Sequence, residues 1–238
     1  MVGEVGQIVN SKINERNNLQ HGRSGKGGTG DSRGNSLHNA GMSSAVILPA
    51  GTTGLVFDCD GTLADTMPLH YLAWKEALGE HGVDFPEAMF YEMAGIPTVR
   101  IIELLNERHG YAMPVMETFE RKEALYLKLL PKVKAIGEVT AFVDAYRGRL
   151  PLAVATGGTR AIVEKTLGAI GMQDCFDAIV TADDVKHGKP APDIFLESAR
   201  RLGQPAERCV AFEDAELGIQ SARAAGMYVI DIRPLRKP

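Results

Sequence analysis

From Leu150 onward the chain alternates short apolar runs with single helical segments, and that rhythm limits its fold more than any other feature. Leu150–Ala155, Ala178–Val180, Cys209–Phe212 and Tyr228–Ile232 read as strands. Between them Arg160–Ile170, Pro192–Leu202 and Glu216–Ala225 read as helices, the second opened by proline and stopped by Gly203. Strands joined through helices make right-handed crossovers, so the pattern predicts an α/β fold with a parallel sheet covered on both faces. Ahead of this region Leu55-Val56-Phe57 predicts one more buried strand, too short for a helix and broken by Gly61.

Four helical segments follow that first strand with no strand between them: Tyr71–Glu80, Pro86–Met93, Val99–Arg108 and Glu117–Leu130. A helix at Val139–Tyr146 then leads back into the alternating region. Such a run inside a sheet domain predicts an inserted helical unit. Residues 1–45 differ again: His21–Ser44 is rich in Gly, Ser, Asn and Thr and cannot bury enough apolar surface to fold, which predicts a disordered tail. Gly25–Gly30 formally matches G-x-G-x-x-G, but no strand precedes it and no amphipathic helix follows, so the dinucleotide reading fails. Met42 is the expected true translation start.

Composition excludes some functions. A net charge of −4 leaves no basic footprint for nucleic acid or an anionic membrane. No apolar run approaches the roughly 20 residues of a membrane span. Cys59, Cys175 and Cys209 are odd in number and lack C-x-x-C spacing, which argues for reduced thiols in a cytoplasmic protein rather than disulfides or zinc.

The chemistry-bearing residues gather at the carboxyl ends of the expected strands, where open α/β sheets bind ligands. Asp58 and Asp60 follow the first, Thr156-Gly157-Gly158 the second, and Glu213-Asp214 closes the fourth, while Lys189 sits in the loop His187–Pro190. Two acids two positions apart can face one site, and close carboxylates suit Mg²⁺. Thr156 can donate to a phosphoryl oxygen, Gly157 lets backbone N–H groups approach it, and Lys189 can balance the negative charge. Each piece has a plainer reading: an acidic turn, a Thr-Gly-Gly turn, a surface lysine, and an acidic first turn at a helix start.

Taken together, Asp58-Cys59-Asp60-Gly61-Thr62-Leu63-Ala64-Asp65-Thr66, Thr156, Lys189-Pro190-Ala191-Pro192-Asp193 and Glu213-Asp214 resemble, in order, the four motifs of the haloacid dehalogenase superfamily. The resemblance runs from about residue 52 to the end. It implies a Rossmann-like core over 46–66 and 134–238 with a helical cap inserted at 67–133. It also implies that Asp58 takes up a phosphoryl group as an aspartyl-phosphate and that Asp60 is the acid and base. Mg²⁺ would be held by Asp58, the Asp60 backbone carbonyl and Asp214, with Glu213 beside them.

Leu69–Trp74 is similar to the cap helix of the β-phosphoglucomutase and sugar-phosphatase branch, which implies that His70 lies over the site. Trp74 reads as cap core rather than a substrate platform. Arg100 matches a phosphate-gripping arginine of the mutases. One departure is Ala94, which stands where a mutase carries a second cation for the distal phosphate of a bisphosphate. Together with the Asp184–Lys189 and Phe212–Ala215 stretches, which are similar to bacterial fructose-1-phosphate phosphatases, it implies an Mg²⁺-dependent phosphatase acting on a small phosphorylated sugar. A sugar phosphomutase is the alternative, and a non-catalytic phosphometabolite-binding protein a third reading.

Overall fold

The structure, a computed structural model, describes residues 47–236. The expected tail, its glycine-rich match and Met42 lie outside the described residues. Five strands, β1 (Gly54–Phe57), β2 (Leu152–Ala155), β3 (Ala178–Val180), β4 (Cys209–Glu213) and β5 (Tyr228–Asp231), form one sheet in the order β3-β2-β1-β4-β5. Every neighbouring pair is parallel, and Leu55 stands opposite both Leu152 and Val210. The chain builds outward from β1 to β3, then returns to the other side of β1 for β4 and β5. The strand order therefore reverses between β1 and β4, the place where α/β sheets open a crevice.

Strand alternation divides the apolar side chains between two cores. Leu55, Phe57, Leu152, Val154 and Phe212 meet α5 (Gly137–Tyr146) and α6 (Arg160–Ala169) on one face. Val56, Ala153, Ala155 and Ala211 meet α7 (Asp193–Leu202) and α8 (Glu216–Ala224) on the other. Both faces are dry, which is why the strands read as continuous apolar runs. Phe57 and Phe212 stack with ring centroids 4.5 Å apart, tying the two strands that flank the reversal.

Four helices separate β1 from α5: α1 (Met67–Gly79), α2 (Glu87–Glu92), α3 (Thr98–His109) and α4 (Val115–Leu129). They close around their own cluster, including Trp74, Phe85, Phe90, Ile102 and Leu105. The chain enters and leaves this layer side by side: Asp65 N–H donates to the Lys134 carbonyl at 2.8 Å, and Ala64 bridges Ala135. A second cluster, with Ala73, Ala77, Leu125 and Tyr126 around Ile162 of α6, seats the helical layer on the sheet layer.

Expected and observed elements differ mainly at their first turns. α1 begins at Met67, four residues ahead of the expected Tyr71, because Pro68 occupies the first turn, where a missing N–H costs nothing. β2 begins at Leu152 rather than Leu150. Among the described residues no helix is long and apolar enough to cross a membrane, and the three cysteines are unpaired.

Candidate active site

The crevice at the strand reversal is roofed by the helical layer. Its lining includes Asp58, Asp60, His70, Trp74, Ala94, Lys122, Glu123, Thr156, Gly157 and Glu213. The approach of the two layers is close at Gly157, where a Cβ would stand 3.0 Å from the Gly95 carbonyl oxygen.

Asp58 emerges from β1, β4 delivers Glu213, and Lys189 comes from the loop before α7. The Lys189 ammonium donates to Asp58 Oδ1 at 2.7 Å and to Glu213 Oε1, with all three side chains buried. Burial works against the ammonium, but the two carboxylates outweigh it and hold Lys189 protonated. Glu213 Oε2 accepts the backbone N–H groups of Asp214 and Ala215, each at 2.9 Å, so the acid is fastened at both oxygens. Asp214 Oδ1 accepts the Thr62 hydroxyl at 2.9 Å.

One oxygen from each of Asp58, Glu213 and Asp214 lies within 4.8 Å of the others. One ammonium faces three carboxylates there. Burial, and then the charge of Glu213, push Asp214 up to about 7. Burial also pushes Asp58 well above the usual carboxylate range, with Glu213 and Asp214 adding to it and Lys189 opposing. An all-oxygen set carrying surplus negative charge fits a hard divalent cation such as Mg²⁺.

Asp60 belongs to a different network. Its Oδ1 accepts the Thr66 hydroxyl at 2.7 Å and faces His70 Nε2 at 3.2 Å. His70 Nδ1 lies 3.1 Å from the Lys122 ammonium, which has only protons to donate. The ring nitrogen facing Lys122 must therefore accept, leaving the ring's one proton on Nε2 to be donated to Asp60. Burial and the nearby Lys122 charge both keep His70 neutral. Burial alone would raise the Asp60 carboxyl, but the hydrogen bonds from His70 and Thr66 and the Lys122 charge outweigh it and hold it low.

Thr156, wholly buried at the end of β2, accepts the Gly158 N–H on its hydroxyl oxygen at 3.1 Å. That leaves the hydroxyl proton for a ligand.

Asp58, Asp60, His70, Thr156, Gly157 and Glu213 thus line one crevice, and Lys189 and Asp214 stand directly behind it. The Asp60 carboxylate does not join the acid cluster, because Thr66 and His70 hold it towards the roof. Arg100 is not brought to the crevice: it lies on the exposed side of α3, paired with Glu103 and Glu107, each at 3.0 Å. Trp74 is cap core packed on Phe85, with part of its surface reaching the crevice.

Sequence reasoning missed Lys122, Thr66 and Glu123. Lys122 is 3% exposed inside the run Glu120-Arg121-Lys122-Glu123, where nothing local separates a buried lysine from a solvated one. It also missed two glycines that seat the acids. A Cβ on Gly61, whose φ is +88°, would lie 2.2 Å from Asp214 Oδ2, and one on Gly218 would lie 1.7 Å from Glu213 Oε1.

The matched family model is that of haloacid dehalogenase-like hydrolases, over residues 52–226. The chain belongs to this family and is an enzyme of the hydrolase class. It is 44% identical over 183 residues to the fructose-1-phosphate phosphatase YqaB of Escherichia coli, covering 76% of this chain and 97% of that protein. It is 30% identical over 177 residues to a phosphorylated carbohydrates phosphatase of Thermotoga maritima, covering 73% and 81%. Among solved structures it is similar to a β-phosphoglucomutase from Clostridium difficile, with a TM-score of 0.67, 26% identity, and 75% and 83% of the two chains covered.

The two uses of glycine in helices give opposite expectations. Gly168→Ala in α6, where a Cβ meets nothing within 4 Å, should stabilise by about 0.5–1 kcal/mol. Gly218→Ala should destabilise by about 3–5 kcal/mol, because it expels Glu213 from the buried Lys189. Urea denaturation of both variants checks the pair, and equal effects would contradict this account of the site.

Proposed function

We propose that this protein is a phosphatase that hydrolyses small sugar phosphates, fructose 1-phosphate among them, through a phosphorylated Asp58. The observation that carries this reading is the unequal anchoring of two carboxylates in one crevice. Asp58 is pinned by Lys189 and Asp60 by Thr66 and His70, so the two acids meet different environments and take different roles.

In the first half-reaction a carboxylate oxygen of Asp58 attacks phosphorus. The new O–P bond forms as the bond to the sugar oxygen breaks; Asp60, ionised in the free enzyme, takes up a proton from water as the negative phosphate enters beside it and passes that proton to the departing alkoxide. Lys189 balances charge on the attacking carboxylate, and the Thr156 hydroxyl and the backbone N–H of Gly157 hold phosphoryl oxygens. In the second half-reaction Asp60, now ionised, takes a proton from water as the water attacks the phosphoryl-aspartate. Phosphate leaves and Asp58 is restored.

Mg²⁺ fits the acid cluster, with Asp58, Asp214 and the Asp60 backbone carbonyl as its holders and Glu213 alongside. When bound it supplies the positive charge that keeps neighbouring carboxylates ionised and polarises the phosphoryl group. The layer from 67 to 133 acts as a cap that opens for substrate and shuts out bulk water.

A sugar phosphomutase is a second reading, supported by the likeness to β-phosphoglucomutase. Against it, Ala94 lines the crevice where a cation for a second phosphate is wanted, and Arg100 is engaged with glutamates outside it.

Inorganic phosphate should be released from a panel of sugar phosphates in the presence of Mg²⁺, faster than a sugar bisphosphate primes isomerisation. Asp58→Asn should lower turnover by at least about 10³-fold. No release from any member by folded protein would contradict the reading.

Metal binding should also depend on pH with a definite sign. The Asp214 carboxyl titrates near 7 in the folded chain, against about 3.9 unfolded. Between those values the folded state holds the extra proton, so this group lowers the stability of metal-free protein as pH rises. MgCl₂ should therefore raise Tm more at about pH 8 than at about pH 5. An equal shift at both pH values would contradict the acid cluster as the metal site.

A further inference from the structure

The helical layer walls the crevice mainly with apolar residues such as Phe90, Met93 and Ile101. Two polar side chains face each other there, Thr98 at the start of α3 and Glu123 on α4. Glu123 Oε1 accepts the Thr98 hydroxyl at 3.1 Å and the Lys122 ammonium at 3.0 Å. Its other oxygen, Oε2, is buried and has no hydrogen-bond partner among the described residues.

An unpartnered buried carboxylate oxygen loses its hydration for nothing in return, and a group of this kind in a native site calls for an explanation. A ligand that donates hydrogen bonds supplies one. The charges around it limit what that ligand carries. Among the described residues Lys122 is the only lysine or arginine lining the crevice. It is already committed to His70 Nδ1 and Glu123. A second phosphate would thus meet an acid and no free cation, whereas a sugar hydroxyl would find a strong acceptor.

We propose that Glu123 is a specificity-determining residue. Its Oε2 accepts a hydrogen bond from a hydroxyl of the sugar and turns away substrates bearing a second phosphate. This rests on the sugar-phosphatase reading and deepens it: the substrate class becomes monophosphates whose far end is a neutral polyol.

The experiment compares wild type with Glu123→Gln, which keeps the shape and the acceptor facing Lys122 and Thr98. Three substrates separate the effects: fructose 1-phosphate, fructose 1,6-bisphosphate and p-nitrophenyl phosphate, which has no sugar hydroxyl. Wild type should favour the monophosphate, and Glu123→Gln should narrow the ratio of kcat/KM between mono- and bisphosphate by about tenfold, mainly through KM. Hydrolysis of p-nitrophenyl phosphate should stay within about twofold of wild type, because that substrate has no sugar hydroxyl for Oε2 and the glutamine keeps the oxygen that faces Lys122 and Thr98. An unchanged ratio would overturn the proposal, as would an equal fall on all three substrates, which would mark Glu123 as a support for Lys122 alone. Wild type that cleaves p-nitrophenyl phosphate but no sugar phosphate would overturn the parent reading and this proposal with it.

Discussion

The site depends on one buried ammonium. Lys189 sits between Asp58 and Glu213 with almost no exposure, and without it three acids would crowd one end of the sheet unopposed. Buried ion pairs of this kind add little net stability, since desolvation offsets much of the attraction. Their effect is positional. The ammonium fixes the Asp58 carboxylate, and the backbone N–H groups of Asp214 and Ala215 fix the glutamate that fixes the ammonium. The surplus negative charge that remains suits a divalent cation.

The roof supplies the complementary half. Asp60 is chained to the helical layer through Thr66 and His70, and His70 through Lys122 to α4. The Asp60 carboxylate is thus positioned by the entry to the helical layer and by the layer itself, not by the sheet alone.

Much of this was legible in the sequence because it is local. The apolar runs of the strands survive as runs because both faces of the sheet are buried, whereas the strand order, and with it the switch point between β1 and β4, is set by long-range pairing. Asp58, Asp60, Thr156 and Asp214 could be placed because each ends or closely follows a strand. Arg100 went astray for the opposite reason: it lies on an amphipathic helix whose rotation about its axis is set by packing. Glu103 and Glu107 then hold it outside the crevice. Lys122 and Glu123 were hidden in a charged helical run for the same reason. Gly218 gave no signal because its role is to leave room for Glu213, an effect visible only across space.

The central claim is that Asp58, held by Lys189, takes up the phosphoryl group. It is tested most directly by acid-quenching the enzyme during turnover of a sugar phosphate with Mg²⁺ and weighing its peptides. The account predicts one phosphoryl group on the peptide containing Asp58, absent from Asp58→Asn. Turnover with no label on that peptide, or a label elsewhere in the chain, would contradict it.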